Sequence, residues 1–327
     1  MNTVTAAVKK AARVGIAIAI LGGAGQPVAH ADLLVGGDSQ VLRYSETTGA
    51  FLGVVASGNA LDNVQGIDVG PDRQVYISSF GNRSIVRSDG NRSEVFVPPG
   101  SGGMGAPNDV AFGPDGNLYV SDGFFGTYSI LRFNGVTGQF MNVFASGGGI
   151  RQPGPIVFGP NGDLYVANAT STDVMRFHGG TGLWFPAPGQ SGAIFVSGIP
   201  GGFNTTLAIS ANGELVVSSG ASSDATRYDA ATGRLLGTGA SNIVSGDMEF
   251  GPDGNLYIAN YLDGSIARYR DTSGGLLGTF VSSASGGLTR PTSLTFGTVS
   301  SELPEPATHA LTVITLAALA ATRRSRR

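Results

Sequence analysis

Few side chains in this 327-residue sequence could carry chemistry. Cysteine is absent, which removes thiolate nucleophiles, thiolate metal ligands and disulfides together. His30 and His309 lie near the ends, and only His178 lies in the body. No lysine occurs between residues 32 and 303, so no side-chain amine is available there for a Schiff base. There is no Gly-x-Ser-x-Gly elbow, His-Glu-x-x-His helix or phosphate-binding glycine loop. Acid–base or metal chemistry therefore falls to carboxylates, carboxamides and tyrosines. Asn108, Asp109 and Asp247 stand out because a repeat places them just ahead of equivalent strands. Their oxygens are the hard ligands that Ca²⁺ or another divalent cation takes. A second cluster is aromatic. Gly182 to Thr206 holds Trp184, the only tryptophan, with Phe185, Phe195 and Phe203 among Pro186, Pro188 and Pro200. Rings on a stiff insertion suit a ligand such as a sugar, with Trp184 and Phe185 as the contacts. The alternative is that they cover the edge of their own repeat.

The elements that position these groups are announced by Phe112-Gly113-Pro114-Asp115-Gly116-Asn117-Leu118-Tyr119-Val120. The stretch returns at Phe250 to Ile258, slightly altered at Phe158 to Val166, and more weakly at Val69 to Ile77 and Ile209 to Val217. Apolar runs flanking Pro-Asp-Gly or Pro-Asn-Gly predict β-hairpins. Each hairpin is followed by a third strand containing Arg43, Arg87, Arg132, Arg176, Arg227 or Arg268, then a turn and a fourth strand. Gly70, Gly113, Gly159, Ser210, Gly251 and Gly297 mark the repeats, in steps of 43, 46, 51, 41 and 46 residues. Four strands per 40–50 residues predict an all-β, six-bladed β-propeller. The first repeat lacks its inner strand, and Thr292 to Phe296 is an inner strand without a blade. The C-terminal strand should therefore complete the N-terminal blade.

These hairpins and Ile-x-Arg-Phe/Tyr strands resemble the NHL-repeat and gluconolactonase-like six-bladed propellers over nearly all of residues 33–297. The resemblance implies that the residues ahead of each inner strand gather at one mouth of a central channel. Gluconolactonase-like enzymes hold a divalent cation there, which would make Asn108, Asp109 and Asp247 its ligands and the protein a metal-dependent lactonase-like hydrolase. Asp109 and Asp247 fall in the third and sixth repeats, on opposite sides of a ring, and four of the six slots carry no acid. Solvated or turn-capping carboxylates are the other reading. Streptogramin-type propeller lyases use channel histidines, and His178 aligns instead to the end of a third strand. An arginine that recurs in every blade serves the repeat, through a nearby carboxylate or turn carbonyls. Asp72, Asp115 and Asp253 fit turn chemistry, as do Asp38, Asp122, Asn168 and Asn260 at second-strand ends.

Both ends carry addresses. Residues 1–31 read as a cleavable signal peptide: Lys9, Lys10 and Arg13, an apolar Val14 to Leu21, then Ala29-His30-Ala31 before Asp32. Residues 32–300 form the propeller, and 301–327 form a tail. In the tail Pro304-Glu305-Pro306 precedes an uncharged Ala307 to Thr322 and the cluster Arg323, Arg324, Arg326 and Arg327. An apolar helix ending in arginines predicts membrane insertion with the arginines inside. The order resembles the PEP-CTERM sorting signal of Gram-negative bacteria. That implies an exosortase-type processing enzyme beside signal peptidase, transient membrane insertion, and delivery to the cell envelope, outer surface or extracellular matrix. A permanent anchor is the alternative. Removing Lys9, Lys10, Arg13 and the last four arginines from 20 basic residues leaves 13, against 22 acids without Glu305. A body near −9 lacks the basic footprint of a nucleic-acid partner. The sequence thus predicts a non-catalytic binding or structural module of the surface or exopolysaccharide, with a glycan or surface protein as partner and no cofactor. The metal-dependent hydrolase is its alternative.

Overall fold

The computed structural model describes residues 31–299, apart from 125–127, 200–205, 220, 221, 223, 242 and 244. The expected signal peptide up to residue 30, Phe203, Pro304-Glu305-Pro306, the apolar 307–322 and the terminal arginines lie outside the described residues. Among the described residues no helix is long and apolar enough to cross a membrane.

Six four-stranded antiparallel sheets hold the strands of the described residues. Blade one holds β1 (Asp32–Gly37), β2 (Gln40–Tyr44) and β3 (Phe51–Ser57). Blade two holds β4 (Val64–Val69), β5 (Val75–Ser79), β6 (Ser84–Ser88) and β7 (Ser93–Val97). Blade three holds β8 (Pro107–Phe112), β9 (Leu118–Asp122), β10 (Ser129–Phe133) and β11 (Phe140–Ser146). Blade four holds β12 (Pro153–Phe158), β13 (Leu164–Asn168), β14 (Val174–Phe177) and β15 (Ile194–Val196). Blade five holds β16 (Thr206–Ile209), β17 (Glu214–Ser218), β18 (Asp224–Asp229) and β19 (Leu235–Ser241). Blade six holds β20 (Ser245–Phe250), β21 (Leu256–Asn260), β22 (Ser265–Arg270) and β23 (Gly275–Val281). The last strand, β24 (Pro291–Gly297), pairs antiparallel with β1 from Asp32↔Gly297 to Gly37↔Pro291 and gives blade one its inner strand. The ring closes at the seam that the repeat count predicts.

The recurring motif is both a turn and a joint. Gly116 takes the left-handed φ of 73° that the hairpin needs. Asp115 accepts hydrogen bonds from Asn117 N at 3.1 Å and from the Tyr119 hydroxyl at 3.0 Å. Arg132 stands 3.5 Å from the same carboxylate. The Asp72–Tyr76 and Asp253–Tyr257 pairs repeat the hydroxyl bond. Each tyrosine ring then bridges two blades. Tyr119 meets Phe144 of its own blade and Phe158 of the next edge-to-face, with centroids 4.8 and 4.9 Å away. Tyr257 does the same between Phe280 and Phe296, and Tyr76 between Phe96 and Phe112. Such pairs add about 0.5–1.5 kcal/mol each beyond area burial. Gly113 is required because a Cβ there would stand 2.5 Å from the Tyr119 ring. In the fifth repeat Val216 replaces the tyrosine, and Ser210 replaces the glycine.

The arginine slot is structural in all six blades. Arg43, Arg87, Arg132, Arg227 and Arg268 stand beside Asp32, Glu94, Asp115, Glu214 and Asp253. Arg176 instead donates to the Phe185 and Ala231 carbonyls.

Candidate functional site

The inner strands surround a channel with two spaces in line, which share Pro155 as a wall. At the end where these strands begin lies a cup of about 390 Å³. Its polar walls are Asn63, Gln65, Asn108 and Thr292, and its rings are Phe80, Phe124 and Tyr261. Phe80 and Phe124 meet edge-to-face with centroids 5.0 Å apart, and Tyr261 is 37% exposed. Gln65 donates from Nε2 to Asn63 Oδ1 at 2.6 Å, and Asn108 donates to the Pro153 carbonyl at 3.4 Å. Backbone strain collects at this end. Asn63, Gln152 and Arg290, each immediately ahead of an inner strand, hold left-handed φ values of 53°, 46° and 41°. Non-glycine residues in this region cost of order 1 kcal/mol or more each.

Below the cup lies a chamber of about 270 Å³. Asp68, Asp109, Asp247 and Glu249 line it among apolar side chains such as Ile156 and Ile209. Each carboxylate clasps the next blade. Asp68 accepts from Val69 N and, across the joint, from Phe112 N, both at 2.7 Å. Asp109 accepts from Val110 N at 2.8 Å and Ile156 N at 2.9 Å. Asp247 accepts from Met248 N at 2.8 Å, Leu294 N at 3.1 Å and the Thr206 hydroxyl at 3.2 Å. Glu249 bonds to Thr295 and to Phe296 N. In blade one Ser293 fills the same role and accepts from Ile67 N at 3.0 Å. Neighbouring inner strands diverge too far to pair, and these side chains satisfy backbone donors that would otherwise be orphaned.

Charge accumulates in the chamber as a result. Burial pushes Asp68 and Asp247 up from the usual carboxylate value to about 6, against the pull of two backbone N–H groups on each. Asp109 is raised well above its ordinary range by burial first and then by the Asp247 charge. Glu249 is raised likewise, by burial and then by Asp68 and Asp247.

The three residues singled out as metal ligands do not converge. Asp109 and Asp247 face the chamber from opposite blades, each already engaged by backbone donors, while Asn108 opens into the cup. Among the described residues no three His, Cys, Asp or Glu side chains group closely enough to hold a metal ion. The donor set does not fit a resident divalent cation. Asp68 and Glu249 were missed by the sequence reading, although the two-residue period of a strand puts them on the same face as Gly66 and Asp247. Phe80, Phe124 and Tyr261 were missed too. They follow second strands at β5, β9 and β21, a position where no repeat motif draws the eye.

Trp184 and Phe185 sit on the outer part of blade four and touch different partners. Phe185 covers one side of the Arg176 guanidinium at 4.0 Å, with Phe195 at 4.2 Å. Trp184 is 54% exposed and donates from Nε1 to the Ser146 carbonyl at 3.2 Å. Its indole lies so close to Gly148 that a Cβ there would stand 2.8 Å away. Phe140 meets Gly102, and Phe51 meets Gly286, in the same manner. All three follow a Thr-Gly turn by two residues, so the tryptophan continues a feature that seals blades one, three and four against the loop before each. His178 accepts a hydrogen bond from Gly180 N on the same outer part of the blade.

No protein-family model and no curated protein matches the sequence. Solved structures match in fold. A chain from a nidogen/laminin complex aligns with TM-score 0.65 and 17% identity, over 83% of this chain and 99% of that one. A Bacteroides caccae protein of unknown function aligns with TM-score 0.55 and 13% identity, over 82% and 99%. Virginiamycin B lyase from Staphylococcus aureus aligns with TM-score 0.52 and 14% identity, over 72% and 77%. At these identities the likeness is one of fold.

Proposed function

We propose that this protein is an exported, surface- or matrix-associated propeller that binds a ligand at the mouth of its channel without turning it over. One observation carries the proposal: the cup is walled by carboxamides, a threonine and aromatic rings, and apart from the Tyr261 phenol its described lining residues present no titratable side chain. That is an inventory for recognition, with no carboxylate, histidine or lysine among the described lining residues. A variant of virginiamycin B lyase with a histidine changed to alanine is described as catalytically inactive. This chain has no histidine among the described residues that line either channel space. Residues 1–31 and 301–327 supply the export part of the proposal, with signal peptidase and an exosortase-type enzyme as processing partners.

Hydrolysis is the second reading, favoured by the raised carboxylates of the chamber. Their oxygens are committed to inter-blade bonds, so we expect no lactone turnover. Asp109→Asn should change stability and nothing else. The test is co-sedimentation of the purified protein with envelope and exopolysaccharide fractions of the producing cell, alongside a lactone panel. Retention lost in the double variant Phe124→Ala/Asn108→Ala supports the proposal. Retention by that variant, or lactone hydrolysis lost in Asp109→Asn, overturns it. Mass spectrometry of the secreted protein should find Asp32 at the amino terminus, and alanine at Arg323, Arg324, Arg326 and Arg327 should block sorting.

A further inference from the structure

We infer that the ligand of the cup is an uncharged sugar, a pyranose unit of a neutral polysaccharide. The inference rests on the binding function proposed above. The cup's volume of about 390 Å³ falls in the range of small-ligand pockets, about 300–1,000 Å³. Its chemistry narrows the occupant. Asn63, Gln65 and Asn108 each offer a carboxamide oxygen and an NH₂, so the wall both donates and accepts. Hydroxyl groups do the same, and a ring carrying several of them matches such a wall. The Phe80–Phe124 pair and Tyr261 supply apolar surface for the C–H face of a sugar ring.

Other occupants fit less well. An apolar ligand would desolvate the carboxamides without replacing their hydrogen bonds, at about 1–3 kcal/mol for each group left unpaired. A formally charged ligand would meet no opposite charge among the described lining residues, and Arg290, which bonds to Tyr261 beside the cup, is already paired with Asp38. An anionic sugar would also face the chamber beneath, where Asp68, Asp109, Asp247 and Glu249 stand with no arginine or lysine among the lining residues. The floor therefore selects against uronates. It acts as a charge filter and not as a binding surface.

The test is saturation-transfer NMR and titration calorimetry on the purified full-length protein. The probes are neutral hexose oligosaccharides and hexuronate oligosaccharides of equal length. We expect neutral oligosaccharides to bind, uronates to bind at least about tenfold more weakly, and Phe124→Ala and Gln65→Ala each to weaken neutral binding about tenfold, close to 1.4 kcal/mol. Circular dichroism and melting temperature of each variant separate lost folding from lost contact, and Trp184→Ala serves as a folded control with unchanged affinity. No binding of any neutral oligosaccharide, or a preference for uronates, overturns the ligand class while leaving a mouth-binding module intact. Neutral binding that survives both cup variants overturns both claims. Conversion of the sugar in the tube would support the ligand class and overturn the non-catalytic function.

Discussion

Acid should stabilise this protein. Asp68 and Asp247 titrate near 6 in the folded chamber, against about 3.9 for an unfolded aspartate. A carboxylate whose folded value is raised binds more protons folded than unfolded, so stability falls as pH rises through the window from about 4 to about 6. At pH about 7.5 both carboxylates are ionised, and the full cost of keeping their charges in the channel is present. At pH about 5 each is about nine-tenths protonated, which returns about 1.4 kcal/mol per group. The pair then contributes about 3 kcal/mol, and Asp109 and Glu249 act in the same direction. For a domain of this size a kilocalorie moves the melting temperature by about 2–4 °C, so a rise of about 5–12 °C is expected between pH 7.5 and 5. Asp115 and Asp253, held below their ordinary range by hydrogen bonds from Asn117 and Asn255 despite partial burial, oppose the trend only when pH falls below about 4. The melting temperature should therefore peak near pH 4.5. Scanning calorimetry across pH 4–8 reads this directly, with Asp68→Asn/Asp247→Asn as the comparison. A melting temperature that is flat or falls from pH 7.5 to 5, or a rise that persists undiminished in the double variant, would refute the reasoning.

Further outcomes follow from the same geometry. Glu249→Gln keeps an acceptor for Phe296 N and gains a donor toward Thr295, so it should raise neutral-pH stability by about 1 kcal/mol in urea unfolding and do nothing at pH 4. Gly113→Ala forces a Cβ to 2.5 Å from Tyr119 and should lower stability by about 1–3 kcal/mol by the same assay. Tyr257→Phe removes the hydroxyl's bonds to Asp253 and Arg268 and should cost about 1 kcal/mol, whereas Tyr257→Ala empties the joint between Phe280 and Phe296 and should cost about 3–5 kcal/mol. Trp184→Ala exposes the loop at Gly148 and should cost about 1–2 kcal/mol without altering binding at the cup.

The architecture was legible because each repeat states it locally. Phe-Gly-Pro-Asp-Gly announces a hairpin, the missing first strand announces the seam, and an arginine in all six blades announces a structural slot. The inter-blade joint was legible only in outline. The tyrosine and phenylalanine of the motif stand seven residues apart in one blade, yet each touches its counterpart in the neighbouring repeat. The site was less legible still. Asp109 drew notice because it precedes a strand, but Asp68 and Glu249 lie inside strands, and only the ring brings blades two, three and six to one chamber. Trp184 looked singular by residue type. Aligned after its Thr-Gly turn, it proves to be the partner of Phe51 and Phe140.

The seam between β1 and β24 also fixes how the ring bears load. Asp32 and Gly297 pair at the same end of the two strands, on the side of the Pro-Asp-Gly turns and away from the cup. Tension drawn between these two points would part the strands one hydrogen bond at a time, as a zip opens, because antiparallel pairs pulled from a shared end share none of the force along their length. An attachment at either of these two points would leave the cup on the far side of the ring.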